Sequence, residues 1–372
     1  MKKISIPRDS LLIPLQQCVG IIEKRQTFPI LSNILFIYEE GKLSISATDL
    51  EISIETVCFS ITSEEDCRFT LPAKKCLDIC RSLPNDSNID IFLEEHRAVV
   101  KSNKSRFTLA TLPAENYPHI EQINSIHQFS VEENKLKKLV ESVSFCMSIQ
   151  DVRFYLNGLL LELRNDSIRT VATDGHRIAV NEIVSDEFSA LTEHYQLIIP
   201  RKAILELLRL LNDSDEKINV CIDQNHIRFD LPSLSFTSKL IDGRYPNYER
   251  ALYIRGEKEI ILQKESFRAA LQRAAILSHE NHHGIKIVLS ENTLVIISNN
   301  AEREEAKEIV EINYGFETLE LGFNGQYVLE IVSAIQTDEF KVTISDTNGS
   351  FLVEFDHESY KNLKYIIMPM KI

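Results

Sequence analysis

The sequence of 372 residues contains no run that approaches the roughly 20 apolar residues of a membrane-spanning helix. Its first residues lack the apolar stretch and cleavage site of a secretory signal peptide, so we expect a cytoplasmic protein. It has no glycine-rich phosphate loop, and no serine or cysteine motif completes a catalytic triad. These absences argue against nucleotide hydrolysis and acyl transfer, and we expect no catalysis and no cofactor.

The seven cysteines are odd in number, scattered along the chain and never spaced as CxxC. This pattern is typical of free thiols in a reducing compartment and not of a disulfide framework or a zinc site. We therefore predict that the cysteines are buried, unpaired small hydrophobic residues.

The chain is too long for one hydrophobic core of ordinary size, so two or three domains are expected. Apolar residues make up 44% and charged residues 26%, which indicates a globular protein. The formal net charge is −14, and this argues at first sight against a nucleic-acid ligand, because such binding usually depends on basic surface.

One pattern of helices and strands recurs three times along the chain. Thr48, Thr173 and Ser298 end equivalent apolar strands and follow one another at intervals of 125 residues. A second helix begins after Pro72 and again after Pro200, 128 residues later. The strands alternate apolar and polar residues, as expected for antiparallel sheets with one solvated face. The fold class is therefore α+β, with three similar domains of two helices each, at residues 1–124, 125–255 and 256–372.

Charge is divided unevenly between helices and the rest of the chain. The candidate helices are 8–25, 73–83, 132–147, 201–212, 264–279 and 325–337. Together they carry a net charge of +6, which leaves −20 on the remainder. Two interpretations stay open: solvated helices simply favour Lys and Arg, or a weakly basic helical surface faces phosphate groups while the acidic remainder repels them.

Five segments resemble the bacterial beta sliding clamp family. They are Gln150–Gly158, Ala172–Arg177, Ser105–Pro113, Ser238–Pro246 and the terminal Met368-Pro369-Met370. The resemblance extends over the whole chain and implies the DNA clamp fold, with a head-to-tail homodimer closed into a six-domain ring. It implies a processivity factor without an active site of its own. The implied partners are encircled double-stranded DNA, the replicative polymerase, the clamp loader and other proteins with a clamp-binding motif, with no membrane association.

The resemblance also implies three sets of functional residues. A partner-peptide pocket falls on Arg153, Leu156, Thr173, Gly175, His176, Arg177, Ile178, Pro246, Arg250, Ala251, Asn324, Tyr327, Ser350, Met368, Pro369 and Met370. DNA contacts fall on Arg25, Lys74, Gln150, Phe154, Tyr155 and Lys202, and the dimer interface falls on Lys104, Arg106, Phe107, Ile276, Leu277, Glu304, Glu305 and Glu308. The family usually has a larger aliphatic residue at position 251, a second tyrosine at 154 and in some members a polar residue at 149.

Several signals admit a second interpretation. His279-Glu280-Asn281-His282-His283 satisfies HExxH, which would suggest a zinc hydrolase, yet the match lies where a helix gives way to a strand and no third ligand is evident. Elemental analysis for bound zinc distinguishes a zinc hydrolase from a polar connection between helix and strand.

The sequence Asp174-Gly175-His176 is foremost a turn signal. The terminal Ile366 and Ile367 fit a last strand, whereas Pro369 and its flanking methionines favour a binding surface. Besides a sliding clamp and a zinc hydrolase, the third possible function is a scaffold that is built from repeats and has no role at DNA.

Overall fold

The computed structural model describes residues 2–23, 28–59, 61–63, 65–118, 123–185, 188, 194–253, 256, 258–279, 283–345 and 349–371. Within these ranges no helix is both long enough and apolar enough to cross a membrane.

Helices form at all six predicted positions. In the described ranges the helices are α1 Arg8–Ile21, α2 Ala73–Ser82, α3 Glu133–Ser144, α4 Arg201–Leu210, the single turn α5 Glu249–Leu252, α6 Lys264–Ala275 and α7 Gly325–Ala334. Each long helix buries one face: in α2 the buried residues are Ala73, Cys76, Leu77 and Cys80, at the spacing of a helical stripe. The predicted amphipathic helices are confirmed.

The remaining regular structure consists of strands joined by short turns. In chain order they are β1 Lys3–Pro7, β2 Asn33–Glu39, β3 Lys42–Thr48, β4 Ile52–Cys58, β5 Thr62–Ser63, β6 Cys67–Pro72, β7 Asn88–Leu93, β8 Arg97–Ser102, β9 Ser105–Ala110, β10 His127–Glu132, β11 Gly158–Arg164, β12 Ser167–Thr173, β13 Arg177–Val184, β14 Tyr195–Pro200, β15 Lys217–Ile222, β16 His226–Leu231, β17 Leu234–Lys239, β18 Lys258–Gln263, β19 Gly284–Ser290, β20 Thr293–Asn299, β21 Glu305–Glu311, β22 Leu319–Asn324, β23 Glu339–Ile344, β24 Phe351–Glu354 and β25 Lys364–Ile367.

The chain forms two compact units, the first from residues 1–134 with 205–240 and the second from residues 135–204 with 241–372. The first unit contains an eight-stranded antiparallel sheet in the order β10-β15-β16-β17-β4-β3-β2-β6 and a five-stranded sheet in the order β5-β1-β7-β8-β9. The large sheet is continuous because β17 pairs with β4, with Leu234 opposite Thr56 and Ser238 opposite Ile52.

The second unit repeats this plan. Its eight-stranded sheet has the order β14-β11-β12-β13-β25-β24-β23-β18, and its four-stranded sheet has the order β21-β20-β19-β22. Here β13 pairs with β25, which places Arg177 opposite Ile367 and Ile178 opposite Ile366. The last strand of the chain is therefore joined to a strand that lies about 190 positions earlier in the sequence, and the prediction that Ile366 and Ile367 belong to a final buried strand is confirmed.

The two smaller sheets are each equivalent to one half of a large sheet. The order β22-β19-β20-β21 corresponds to β6-β2-β3-β4 and to β14-β11-β12-β13. The strands β1-β7-β8-β9 correspond in the same way to β10-β15-β16-β17 and to β18-β23-β24-β25. In the large sheets the two halves pair at β4 with β17 and at β13 with β25. The equivalent strands β21 and β9 end their sheets as edges.

All seven cysteines are free and buried, as predicted. Burial raises the pKa of the Cys58 and Cys76 thiols to about 12 and that of Cys80 to about 11. Burial also raises the thiol pKa of Cys18 and Cys146. Since the thiolate is the nucleophile, these groups are kept in their unreactive form near neutral pH.

We expect the folded protein to react very slowly with a thiol-specific reagent at pH 8, and all seven thiols to react once the chain is unfolded in guanidinium. The physical reason is that burial blocks access to all seven thiols, while the raised pKa of the five thiols named above keeps those protonated at this pH. Time-resolved absorbance of the released chromophore measures both stages. Rapid titration of several thiols in the native protein would contradict the buried positions.

Candidate functional site

The turn between β12 and β13 is closed by its own side chains. The Asp174 carboxylate accepts the backbone N–H groups of His176 and Arg177 at 2.9 and 3.0 Å. The Thr173 hydroxyl donates to the Arg177 carbonyl at 2.6 Å and accepts the Gly175 N–H at 3.0 Å. Gly175 has a φ of +89°, a conformation that glycine adopts without strain. The predicted Asp-Gly turn is confirmed and is held in one conformation.

Arg177 is buried, and each of its three guanidinium nitrogens donates a hydrogen bond. It donates to Asp174 at 3.0 Å, to Glu330 at 2.6 Å and to the Phe145 carbonyl at 2.9 Å. The group also lies 4.3 Å from the centroid of the Tyr327 ring. The resemblance includes Arg177 among the residues of the partner-peptide pocket. In the structure its guanidinium lies underneath the turn, where it fixes the turn and the helix α7.

Helix α7 brings two more of the predicted pocket residues to this turn. Asn324 is its N-cap and accepts the N–H groups of Gln326 and Tyr327 through its side chain. The ring of Tyr327 stacks on that of His176, with 6.2 Å between centroids. Asn324 therefore stabilises the N-terminus of α7, while Tyr327 and His176 form a joint aromatic surface.

The loop that precedes β11 approaches the other side of the turn. Arg153 donates to the Asp174 carbonyl at 3.4 Å, and its guanidinium lies 3.2 Å from the place that a side chain at Gly175 would occupy. The Arg153 guanidinium also forms an ion pair with the Asp151 carboxylate at 2.8 Å. Hydrogen bonds from the side chain and the backbone of Arg153 lower the pKa of Asp151 to about 2. Leu156 is buried behind this loop. A residue larger than glycine at 175 would displace Arg153.

The connector 244–252 is fastened to the sheet by two buried tyrosines. The Tyr245 hydroxyl accepts the backbone N–H of Thr173 at 3.1 Å. The Tyr248 hydroxyl donates to the buried Glu162 carboxylate at 2.6 Å. Both contacts attach the connector to strands β11 and β12, and so determine where Pro246, Arg250 and Ala251 lie.

The carboxylate of Glu162 is the centre of a charged network. Burial disfavours its ionised form, but hydrogen bonds from Tyr248 and Gln196 and the nearby Arg164 outweigh this and lower its pKa. Arg164 also donates to Glu249 at 2.9 Å, so the network reaches the first residue of α5. Glu162 and Glu249 line a cleft of about 370 Å³ beside the connector. The ionised network keeps α5 against the sheet.

The chain end lies beside the turn and is held by its backbone. The Met368 N–H donates to the His176 carbonyl and the Met370 N–H donates to the Gly322 carbonyl, each at 2.8 Å. The Ser350 hydroxyl donates to the Met368 sulfur at 3.3 Å. The side chains of Met368, Pro369 and Met370 remain half-exposed. We call the turn 174–176, the connector 244–252 and the tail 368–370 together the tail site.

The tail site rests on one apolar cluster. Its buried members are Leu160, Val171, Ile178, Val180, Ile198, Tyr245, Tyr248, Leu352 and Ile366, and the half-buried side chains packed on it are Tyr155, Ile241, Ala251, Leu252 and Met368. Sequence reasoning missed Ile241, Leu252 and the two tyrosines of the connector. For Tyr245 the available signal was the Tyr-Pro pair that occurs at Tyr117-Pro118 and again 128 residues later at Tyr245-Pro246. Tyr155, predicted to contact DNA, packs here as well.

The remaining predicted DNA contacts are spread over both units. Lys74 is exposed in the first turn of α2, and Lys202 lies in the first turn of α4. Gln150 is exposed and has a positive φ of 55°. Phe154 is 55% exposed, in the same loop as the exposed Ile149 and Val152. Arg25 lies outside the described residues.

Most of the predicted interface residues lie on or beside β9 and β21, each of which ends one of the two smaller sheets. Arg106 and Phe107 belong to β9, with Lys104 in the turn before it. Glu305 and Glu308 belong to β21, with Glu304 immediately before that strand. Ile276 and Leu277 follow α6, where Ile276 is 76% exposed. Each edge therefore presents apolar and charged side chains side by side.

The zinc interpretation gains no support from the described residues. Helix α6 ends at Ala275, so His279 lies beyond that helix. Among the residues that the structure describes, no group of three His, Cys, Asp or Glu side chains is placed to hold a metal ion. Residues 280–282 of the motif lie outside them.

Comparisons with known proteins agree with this architecture. Sequence profiles of the N-terminal, central and C-terminal domains of the DNA polymerase III beta subunit match residues 2–121, 130–247 and 251–371. The beta sliding clamp of Pseudomonas aeruginosa is 43% identical over 369 residues, which cover 99% of each chain. A crystal structure of the DNA polymerase III subunit beta from that organism has a TM-score of 0.95 at 42% identity, with both chains fully covered. Another, of a sliding clamp bound to griselimycin, has a TM-score of 0.94.

The threefold α+β repeat and these matches define a DNA sliding clamp subunit, a class of protein that has no enzymatic activity of its own. More particularly, the chain belongs to the family of DNA polymerase III beta subunits, the beta sliding clamps.

We expect Tyr245→Phe to lower the free energy of unfolding by about 1–3 kcal/mol, because it leaves the buried N–H of Thr173 without an acceptor. Denaturant titration of the full-length protein measures the change. Tyr253→Phe is the matched control, since Tyr253 is 82% exposed. Identical midpoints for Tyr245→Phe and the parent protein would show that this hydroxyl does not secure the connector.

Proposed function

We propose that two copies of the chain close head to tail into a ring of six domains, with domains at residues 1–124, 125–255 and 256–372. The two half-sheets carry this proposal. Each eight-stranded sheet unites a half like β22-β19-β20-β21 with a half like β1-β7-β8-β9, and one chain has a spare half of each kind. Pairing β9 of one copy with β21 of the other completes two further sheets. The contact is heterologous, and two such contacts close the ring.

The register of the existing junction supports this pairing. Phe107 in β9 corresponds to Phe236 in β17, since both follow a polar residue and precede a threonine. At the existing junction Phe236 pairs with Ile54. When Phe107 is paired in the same way with the residue of β21 that is equivalent to Ile54, Arg106 lies opposite Glu308. Lys104 and the remaining acidic residues Glu304 and Glu305 add charges of opposite sign on the two edges. Phe107, Ile276 and Leu277 supply the apolar part of the contact.

We expect Leu277→Asp to convert the dimer into monomers, because a carboxylate would be buried in the interface without a partner. Sedimentation velocity at micromolar concentration gives the oligomeric state. Val184→Asp serves as the matched control, because Val184 is an exposed residue at the end of β13, a strand that is paired on both sides within its own sheet. An unaltered dimer for Leu277→Asp would remove the assignment of this interface.

Enclosure, more than affinity, would hold the DNA. The net charge of +6 on the candidate helices can neutralise few phosphates, whereas the remainder of the chain is strongly acidic. Lys74, Lys202, Gln150 and Phe154 would provide weak, sequence-independent contacts. An acidic protein is then compatible with DNA binding, because topology replaces the basic surface.

Loaded rings are expected to persist on closed circular DNA at a salt concentration that abolishes direct binding. Direct binding should weaken with salt at a logarithmic slope of about −0.9 per phosphate neutralised. Gel filtration of rings loaded on nicked circles, before and after linearisation with a restriction enzyme, measures retention. Equal loss from circular and linear DNA would contradict enclosure.

The tail site is proposed to bind short linear segments of DNA polymerases, the clamp loader and other partners. Ile241, Ala251, Leu252 and Met368 offer half-buried apolar surface on which a peptide could pack. The exposed Arg250 would contact acidic or carbonyl groups of the peptide. Arg177 is too buried to make such a contact. A peptide with a glutamine and leucine or phenylalanine anchors would fit, with most of its binding free energy in the anchors.

Deleting residues 368–372 should weaken the binding of such a peptide at least tenfold, because one apolar wall is lost. The dimer should remain, since the proposed interface involves other residues. Fluorescence anisotropy with a labelled peptide measures affinity, and sedimentation of the same samples is the control. Equal affinities for the intact and truncated proteins would show that the site is misplaced.

A further inference from the structure

Two of the four methionines in the chain lie together in the tail site. Met368 and Met370 are half-exposed, whereas Met147 is only 2% exposed. Met1 lies outside the described residues. Among the described methionines, therefore, only Met368 and Met370 have part of their surface in contact with solvent.

The surroundings of the two thioethers allow a chemical change without unfolding. The backbone of Met368 and of Met370 is fixed by hydrogen bonds to His176 and Gly322, which do not involve the side chains. The hydroxyl of Ser350, itself buried, is directed at the Met368 sulfur.

We propose that Met368 and Met370 are an oxidation site at which a hydroperoxide controls the binding of partner peptides; this rests on the proposed peptide-binding function of the tail site. A sulfur lone pair attacks one oxygen of hydrogen peroxide, the O–O bond breaks, and the departing hydroxide takes up the remaining proton to leave as water. The sulfur is oxidised by two electrons to the sulfoxide, and the peroxide is reduced.

The sulfoxide changes the character of one wall of the site. A flexible apolar thioether that adapts to leucine or phenylalanine side chains becomes a polar group with a strong acceptor oxygen. A bound peptide would either cover that oxygen without a partner or leave the wall unfilled. The affinity for the peptide should fall roughly tenfold to a hundredfold, the range for a buried unpaired polar group.

The test combines mass spectrometry with peptide binding on the full-length protein. Hydrogen peroxide is added in steps, the sulfoxide at Met147, Met368 and Met370 is quantified in proteolytic fragments, and the affinity for the labelled peptide is measured at each step. Methionine sulfoxide reductases A and B are then added. We expect oxidation of Met368 and Met370 well before Met147, a parallel loss of affinity, and recovery after reduction. Recovery separates the effect from irreversible cysteine oxidation.

Two variants complete the test. Met147→Leu should keep the full loss of affinity on oxidation, whereas Met368→Leu combined with Met370→Leu should abolish that loss, whatever its starting affinity. Complete oxidation of both tail methionines with less than a twofold change in affinity, or equal oxidation rates at Met147, would overturn the proposal. If the untreated protein fails to bind the peptide at all, the proposed function of the site is at fault instead.

Discussion

The antiparallel pairing of β13 with β25 is the constraint on which the tail site depends. Strand β13 begins at the residue that ends the Asp174 turn, and β25 leads directly into Met368. Because the ladder fixes the register of the two strands, the turn and the chain end must emerge side by side. The Met368 N–H then continues the ladder by one bond to the His176 carbonyl. Sheet hydrogen bonds, and not contacts particular to the site, bring its two most distant parts together.

Around this ladder, polar groups position the site and apolar groups supply its surface. Arg177, Glu162 and Asn324 are buried or satisfied within the protein and determine where the turn, the connector and α7 lie. The surface left for a partner is mostly aliphatic and sulfur-containing. This arrangement suits both tasks. Buried charged groups are stable only when fully paired, whereas exposed aliphatic groups can adapt to different side chains of a partner.

Much of the fold could be read from the sequence because apolar periodicity is a local property. The six long helices, the Asp-Gly turn and the last strand each follow from the residues within them. The joining of β17 to β4 and of β13 to β25 could not be obtained in this way, since pairing between distant strands leaves no local pattern. Arg177 shows the same limit: its burial depends on Glu330, 153 residues further along the chain, and no local pattern indicates that contact.

The charges on the two strand edges also bear on which associations are avoided. An exposed strand edge is a general template for unwanted pairing with any other strand. Two β21 edges would set Glu305, Glu308 and Glu311 against acidic neighbours, and two β9 edges would oppose Arg106 to another cation. Like edges therefore repel while unlike edges attract. For the proposed head-to-tail contact, these charges make recognition between two copies directional and disfavour symmetric, mispaired encounters.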